Sequence, residues 1–394
     1  MKYVIILPDG ASDEPLIQLG GRTPLEVAKK PHMDWVAANG ELGRVVTVPE
    51  GFTPATDVAT MALFGYDPHR FYTGRAPLEA IAKDLTVRAD QIIFRCNFVT
   101  LVGGRMKDFT AGHISQADAD ELIAALNEEL RGEDCDFYAG VSYRNLMLLA
   151  NALELDVKCA PPHDIADQSV DRHWPTGKGR ERVMQIMERA AVMLKDHPAN
   201  ARRQAKGEAW ATNIWLWGQG RPTHLTNFES QYGVKGAVIT AVDIVRGLAL
   251  GMGMKLIEVP GATGYIDTDY EAKGRAALEA LKEYDLVVVH VEAADEAAHL
   301  GDATEKVKAI ERIDEAIVGP LLAAVRRQDD WRMLIAPDHP TTVASKGHSA
   351  IPPPYCFAGR GVAAGSNRRF TEADAHATGI FLNPGTQIIS RFLG

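Results

Sequence analysis

The chain reads as an α/β protein: a central, mostly parallel sheet with a smaller α+β domain inserted into it. Three observations predict this. Apolar runs at residues 3–7, 286–289 and 333–336 have the length of buried strands, and each leads into acids. Stretches of helical periodicity separate the strand-like ones near both ends of the sequence. Between about residues 84 and 207 the texture changes to hairpin, helix, strand pair, proline-bearing loop and helix. The domains are therefore read as a core, 1–83 with 208–394, and an insertion, 84–207.

The 394 residues suit two domains or one large core with an insertion. With 46% hydrophobic and 24% charged residues, the composition is that of an ordinary globular protein. A net charge of -10 argues against general nucleic-acid binding but leaves room for a local basic pocket. Cys96, Cys135, Cys159 and Cys356 are far apart and form no CxxC pair. They read as reduced thiols of a cytoplasmic protein, not as a disulfide framework or a zinc finger. The first apolar run is too short for a signal segment, and no run is long enough to span a membrane.

In order, the first strand ends at Asp9, where Asp9-Gly10 alone would be a turn. A helical stretch with Pro31 follows, then a strand near residues 43–48. In TPATDVATMALFGYDP, Pro54 punctuates the chain and Thr56-Asp57 opens a helix with Val58, Met61, Ala62 and Phe64 inward. A hydroxyl at a helix N-terminus is usually a cap. It also stands where free N–H groups and the helix dipole favour a phosphoryl group. Both readings stay open for Thr56 at this point. In the insertion, DQIIFRCNFVTLVGGRMKDFT is a hairpin turning at Gly103-Gly104, and a helix follows Ser115. CDFYAGVSYRNLMLLAN is a strand pair, and Val183, Met187, Ala190 and Leu194 share a helix face. From Asn213 strand and helix alternate again. Residues 304–322 form one long helix with Val307, Ile310, Ile317 and Leu321 on one face, and ATGIFLNPG is a last strand and turn.

Chemistry gathers where the apolar runs end. Asp9 follows the first, Asp295 and His299 the second, and Asp338, His339 and His348 the third. Carboxylate and imidazole at strand C-termini suit a hard-to-borderline divalent cation. Surface loops and N-caps are the bland alternative. They do not explain why these residue types collect after the most apolar runs. Two cations can clamp the attacking and leaving oxygens of a phosphoryl transfer, and coordination would activate a threonine hydroxyl. The insertion would hold the rest of the substrate. Arg221 and Arg246 are candidate anion ligands, as are Arg95 and Arg144, which sit in apolar strand-like runs where an unpaired charge is costly. GQGR and PGATG match neither a P-loop nor a dinucleotide fingerprint and read as turns.

Asp9, the Thr56-Asp57 helix start, DEAAH, PDH and GHS resemble, in that order, the alkaline phosphatase superfamily. With ATDVATMALFGYDP, FRCNFVT, AGHIS, GVSYR, WGQGR and PGATGYIDTDY, the chain more closely resembles the cofactor-independent phosphoglycerate mutases of the archaeal type, over nearly its whole length. The resemblance implies an alkaline phosphatase-like three-layer core. It implies one metal held by Asp9, Thr56, Asp338 and His339, and a second held by Asp295, His299 and His348. The metals would be manganese or zinc, with magnesium or cobalt also admissible, and 2,3-bisphosphoglycerate would not be needed. Thr56 would be transiently phosphorylated, and Arg95, His113, Arg144, Arg221 and Arg246 would face the substrate. The implied activity is interconversion of 3-phosphoglycerate and 2-phosphoglycerate in glycolysis and gluconeogenesis. The partner would be a small phosphorylated metabolite; a homo-oligomer is left open. Thr56 stands where the family usually has serine, and Arg246 where lysine is expected. A homoserine kinase-like phosphotransferase or a phosphatase on the same scaffold is the alternative activity. A metal-binding protein without turnover is a third reading, and the intact Thr56 hydroxyl argues against it.

Overall fold

The structure is a computed structural model that describes residues 1–363, 365 and 367–394. The chain divides into two compact units, 1–72 with 224–394, and 73–223. The insertion is thus wider than the 84–207 span expected from sequence. Strand Asn213–Gly220 pairs antiparallel with Ile92–Val102, and helix Arg75–Ala82 packs on both, so these elements belong to the insertion's own sheet. The alternation rule had assigned residues 213–220 to the core, because an isolated strand carries no mark of its partner.

Among the described residues, the core unit has an eight-stranded sheet. Its order is Lys255–Leu256, Gly236–Ile239, Leu286–Val291, Lys2–Pro8, Trp331–Ile335, Pro354–Gly359, Glu41–Val45 and Phe381–Leu382. Pro354–Gly359 runs antiparallel to its neighbours, and the other pairings are parallel. The three apolar runs singled out from sequence lie side by side, with Lys2–Pro8 in the middle. All their residues from Val4 to Leu7, Leu286 to Val289 and Met333 to Ile335 are buried, as expected of strands covered on both faces.

The long helix expected over 304–322 is broken. Helix Ala303–Ile313 runs into a π-turn at Asp314–Val318 and then helix Gly319–Val325. The π-turn shifts the register, and Val307 ends only partly buried while Ala303, Lys306, Ala309, Ile310 and Ile313 form the inner stripe.

The inserted unit is an antiparallel sheet ordered Arg105–Asp108, Ile92–Val102, Arg144–Leu149, Cys135–Val141, with Asn213–Gly220 also paired to Ile92–Val102. Helices Gln116–Glu129 and Arg180–Lys195 bury Leu122, Ile123, Leu126, Val183, Met187, Ala190 and Leu194 in a second core. No helix among the described residues is long and apolar enough to cross a membrane.

Candidate active site

The central strand and its two parallel neighbours set the site. Pro8 pairs with Val291 and Ile6 with Ile335, so Asp9, the turn after Val291 and the 336–341 loop leave the sheet at one edge. Asp9 N–H donates to Val291 O at 3.0 Å, and Gly10 N–H to Asp338 Oδ1 at 3.2 Å. Gly10 has φ +62, and a Cβ there would stand 2.7 Å from Asp295 Cα. Only glycine lets the two loops approach this closely.

A first cluster joins Asp9, Thr56, Asp338 and His339, all buried. Thr56 opens helix Thr56–Leu63, but the N-cap is Ala55 and no side chain caps it. The capping reading of Thr56 is therefore wrong. Its hydroxyl instead donates to Asp9 Oδ2 at 3.4 Å and lies 3.3 Å from His339 Nε2. His339 Nε2 is also 3.2 Å from Asp338 Oδ2 and 3.6 Å from Asp9 Oδ1.

A second cluster joins Asp295 and His299, one turn apart on helix Ala293–Leu300, with His348. His299 Nε2 is 3.1 Å from Asp295 Oδ2, His348 Nε2 is 3.5 Å from Asp295 Oδ1, and the two Nε2 atoms are 3.1 Å apart. Each ring's far nitrogen faces a backbone carbonyl: His299 Nδ1 lies 2.9 Å from Lys346 O, and His348 Nδ1 3.1 Å from Pro54 O. Carbonyls only accept, so both Nδ1 atoms carry a proton and both Nε2 atoms face the cluster, the side from which a metal-ligating histidine binds.

The arginines are a different matter. Arg95 is buried in strand Ile92–Val102, but its Nε is 3.1 Å from Glu79 and its guanidinium lies 4.2 Å over the Trp217 ring. Arg144 opens strand Arg144–Leu149 and is exposed, so it is not inside the apolar run; its guanidinium stands 5.3 Å over Tyr143, whose ring is 6.3 Å from that of His113. Arg221 Nη2 donates to the carbonyls of Ala152, Leu153 and Leu155. Arg246 forms a two-bond fork with Glu258 at 2.7 and 3.0 Å. Within the inserted unit, then, His113, Tyr143, Arg144 and Arg95 neighbour one another, while Arg221 is engaged by the 152–155 loop.

The sequence model of the 2,3-bisphosphoglycerate-independent phosphoglycerate mutases matches residues 37–200. The chain is 47% identical over 390 residues to a mutase of that name from Methanothrix thermoacetophila, covering 99% of this chain and 98% of the relative. The chain belongs to the 2,3-bisphosphoglycerate-independent phosphoglycerate mutase family. A further mutase, from Methanothermobacter thermautotrophicus, is 47% identical over 94% of this chain and 92% of its own. Among solved structures, one from Pyrococcus horikoshii aligns with a TM-score of 0.82 at 28% identity, covering 100% of this chain and 96% of that one. The cofactor-independent phosphoglycerate mutase of Thermoplasma acidophilum shares the fold, with a TM-score of 0.66 at 24% identity over 100% of both chains.

The residues fit divalent metals. Asp9 Oδ1 and Asp338 Oδ2 are buried oxygens without a hydrogen bond, and such atoms are costly unless something else satisfies them. Burial, then the charges of Asp338, Asp295 and Glu292, push the Asp9 carboxyl well above its ordinary range. Burial and Asp295 do the same to Glu292. Burial also works against ionised Asp295, but hydrogen bonds from His299 and His348 carry it well below the usual range. The Asp295 bond in turn raises His299 to about 9. Buried acids and imidazoles thus hold one another's charge, a task a cation would take over.

Sequence reasoning missed the groups around the ligands. His290, the penultimate residue of Leu286–Val291, is fully buried with Nε2 3.0 Å from Asp9 Oδ2 and Nδ1 3.1 Å from Thr240 Oγ1. Burial lowers it to about 4, so it is neutral, and its Nε2–H serves the Asp9 carboxylate. Thr341 Oγ1 donates to Asp295 Oδ1 and lies 3.2 Å from His339 Nδ1, tying the two clusters together. Lys273 is buried, donates to His290 O at 3.2 Å, and is lowered by burial to about 8. His290 within the apolar run LVVVHV is the one sequence signal among these residues.

Proposed function

We propose that the chain interconverts 3-phosphoglycerate and 2-phosphoglycerate in the cytoplasm, without 2,3-bisphosphoglycerate, by way of a phosphorylated Thr56. The observation that carries the reading is the Thr56 hydroxyl. It heads a helix yet makes no cap, and it points at Asp9 and His339.

Asp9, Thr56, Asp338 and His339 would hold one divalent cation and Asp295, His299 and His348 the other, with manganese or zinc suited to this nitrogen-and-oxygen set. When bound, the cations would neutralise phosphate charge and lower the hydroxyl's pKa. The Thr56 hydroxyl donates to Asp9, which aims the oxygen's lone pairs away from that carboxylate. Its oxygen gives up its proton and attacks phosphorus as the phosphorus–oxygen bond to the substrate breaks, and the departing glycerate oxygen takes up that proton. The dipole of helix Thr56–Leu63, whose N-terminus Thr56 occupies, favours the phosphoryl oxygens. Glycerate keeps hydroxyls on both carbon 2 and carbon 3. Attack by the other hydroxyl on phospho-Thr56 returns the phosphoryl group to the new position, and Thr56 regains its proton. Arg144 and His113, grouped around Tyr143, are the side chains of the inserted unit best placed to hold an anion; Arg95 stands behind them with Glu79.

The test is phosphorus NMR of isomer exchange. Purified protein, reconstituted with manganese, should equilibrate the two isomers with little free phosphate, and a chelator should stop it. Steady phosphate release without exchange would replace this reading with a phosphatase.

A further inference from the structure

Lys306 occupies the inner stripe of helix Ala303–Ile313. Its side chain and that of Asp13 have no exposed surface. The ammonium donates to Asp13 Oδ2 at 2.8 Å, Ser12 O at 3.0 Å and Thr341 O at 2.7 Å. A lysine has three N–H donors and no acceptor, so this one is fully used.

The acceptors sit on two particular loops. Ser12 and Asp13 are on the turn that carries Asp9. Thr341 is two residues beyond His339, and its hydroxyl touches both His339 Nδ1 and Asp295 Oδ1. Asp13 reinforces the link, since its Oδ2 also accepts Val343 N–H at 3.2 Å and its Oδ1 accepts Glu14 N–H at 2.8 Å. Ala11 and Ser12 bridge Pro340. Beneath them Glu372 receives the Ser12 hydroxyl at 3.0 Å, Asp13 N–H at 3.1 Å and the Thr23 hydroxyl at 2.6 Å.

We propose that Lys306 and Asp13 form a buried clip that positions the metal ligands, locking the Asp9 turn to the 338–341 loop and acting on both clusters through Thr341. The inference rests on the metal reading of the site. A buried ion pair by itself is a poor stabiliser, because apolar replacements of the whole pair are often neutral. This pair differs in where its bonds end. Every acceptor of Lys306 is within four residues of a ligand in sequence, and Thr341 joins both ligand sets. Lys306 and Asp13 are positioning residues: neither touches the ligand atoms.

The test compares manganese affinity with folding. Wild-type protein stripped of metal is titrated with manganese, and its cobalt form is recorded by visible absorption. The variants are Lys306→Met with Asp13→Asn, which removes both charges while leaving an oxygen for Val343 N–H, and Thr341→Val alone, which removes only the hydroxyl. Both should fold, as judged by circular dichroism. Dissociation constants at both sites should rise by about 10–100-fold, the scale of outer-shell partners, with an altered cobalt spectrum. Unchanged metal affinity and spectrum in Thr341→Val would overturn the clip, even if the paired variant failed to fold. If wild-type protein takes up no manganese, the metal reading itself has failed and the clip falls with it. Two equivalents in wild type with unaltered variants overturn the clip alone.

Discussion

The C-terminal edge of the core sheet and the arginine-bearing face of the inserted unit both offered candidate residues in the sequence, yet they differ in what their side chains lack. At the sheet edge, Asp9 Oδ1 and Asp338 Oδ2 have no hydrogen bond, and imidazole Nε2 atoms face one another while their Nδ1 atoms are spent on carbonyls. In the inserted unit, Arg95 has Glu79 and Trp217, and Arg221 Nη2 has three carbonyls, although its Nη1 is buried without a hydrogen bond. The first region is assembled for something not of the protein. Much of the second is assembled for the protein itself. A charged residue in an apolar run is therefore weaker evidence of a ligand than an unsatisfied acceptor at a point where several elements meet.

The largest effect belongs to Thr56. Thr56→Ala should reduce isomer exchange by on the order of 10^4-fold or more, as loss of a nucleophile does. Because Ala55 is the cap position, the variant should lose only about 1 kcal/mol of stability and still bind metal. Retention of most activity would erase the contrast between the regions, since the sheet edge would then hold no nucleophile. Next is Asp338→Ala, which removes one ligand of the first cluster and leaves the second intact. Metal content after reconstitution should drop from about two equivalents to about one; unchanged content would remove Asp338 from the ligands.

How far the sequence carried the reading follows from this same contrast. The strands around Lys2–Pro8 were legible because strands buried on both faces are uniformly apolar, and their register follows from parallel packing. All seven expected ligands meet in two clusters because strand ends converge whatever the helices between them do. The boundary at residue 73 and the strand Asn213–Gly220 were not legible, because antiparallel partners far apart in sequence leave no local trace. Nor were His290, Thr341 and Lys306, whose roles depend on which atom their side chains reach. The break at Asp314–Val318 was hidden too, since the apolar pattern continues through a π-turn.

The arginines sharpen the contrast at a smaller scale. Arg95→Ala would strand Glu79, whose side chain is 13% exposed, and should cost the protein about 3–5 kcal/mol in urea unfolding. Arg144→Ala, at an exposed position, should leave stability within about 0.5 kcal/mol. It should instead weaken phosphoglycerate exchange by about 10-fold or more while sparing hydrolysis of a small aryl phosphate. Equal loss of both activities would give Arg144 a structural role like that of Arg95.

The last effect is a pH dependence. Lys273 titrates at about 8 in the folded chain, down from 10.5. Between these values the unfolded chain binds the extra proton, so stability rises with pH across the window; below 8 both states hold the proton and the dependence levels off. Relative to Lys273→Met, the wild type should gain about 2–3 kcal/mol in urea unfolding between pH 8 and pH 10.5. Parallel curves for the two proteins would mean that Lys273 keeps an ordinary pKa.

The central claim is that the hydroxyl at the sheet edge takes the phosphoryl group. Manganese-loaded protein mixed with 3-phosphoglycerate, quenched in acid within one turnover and digested, can be read by mass spectrometry. A phosphate on Thr56 that appears and decays at the rate of exchange is the predicted result. Exchange at full rate with Thr56 unmodified, or with the phosphate on any other residue, would contradict it.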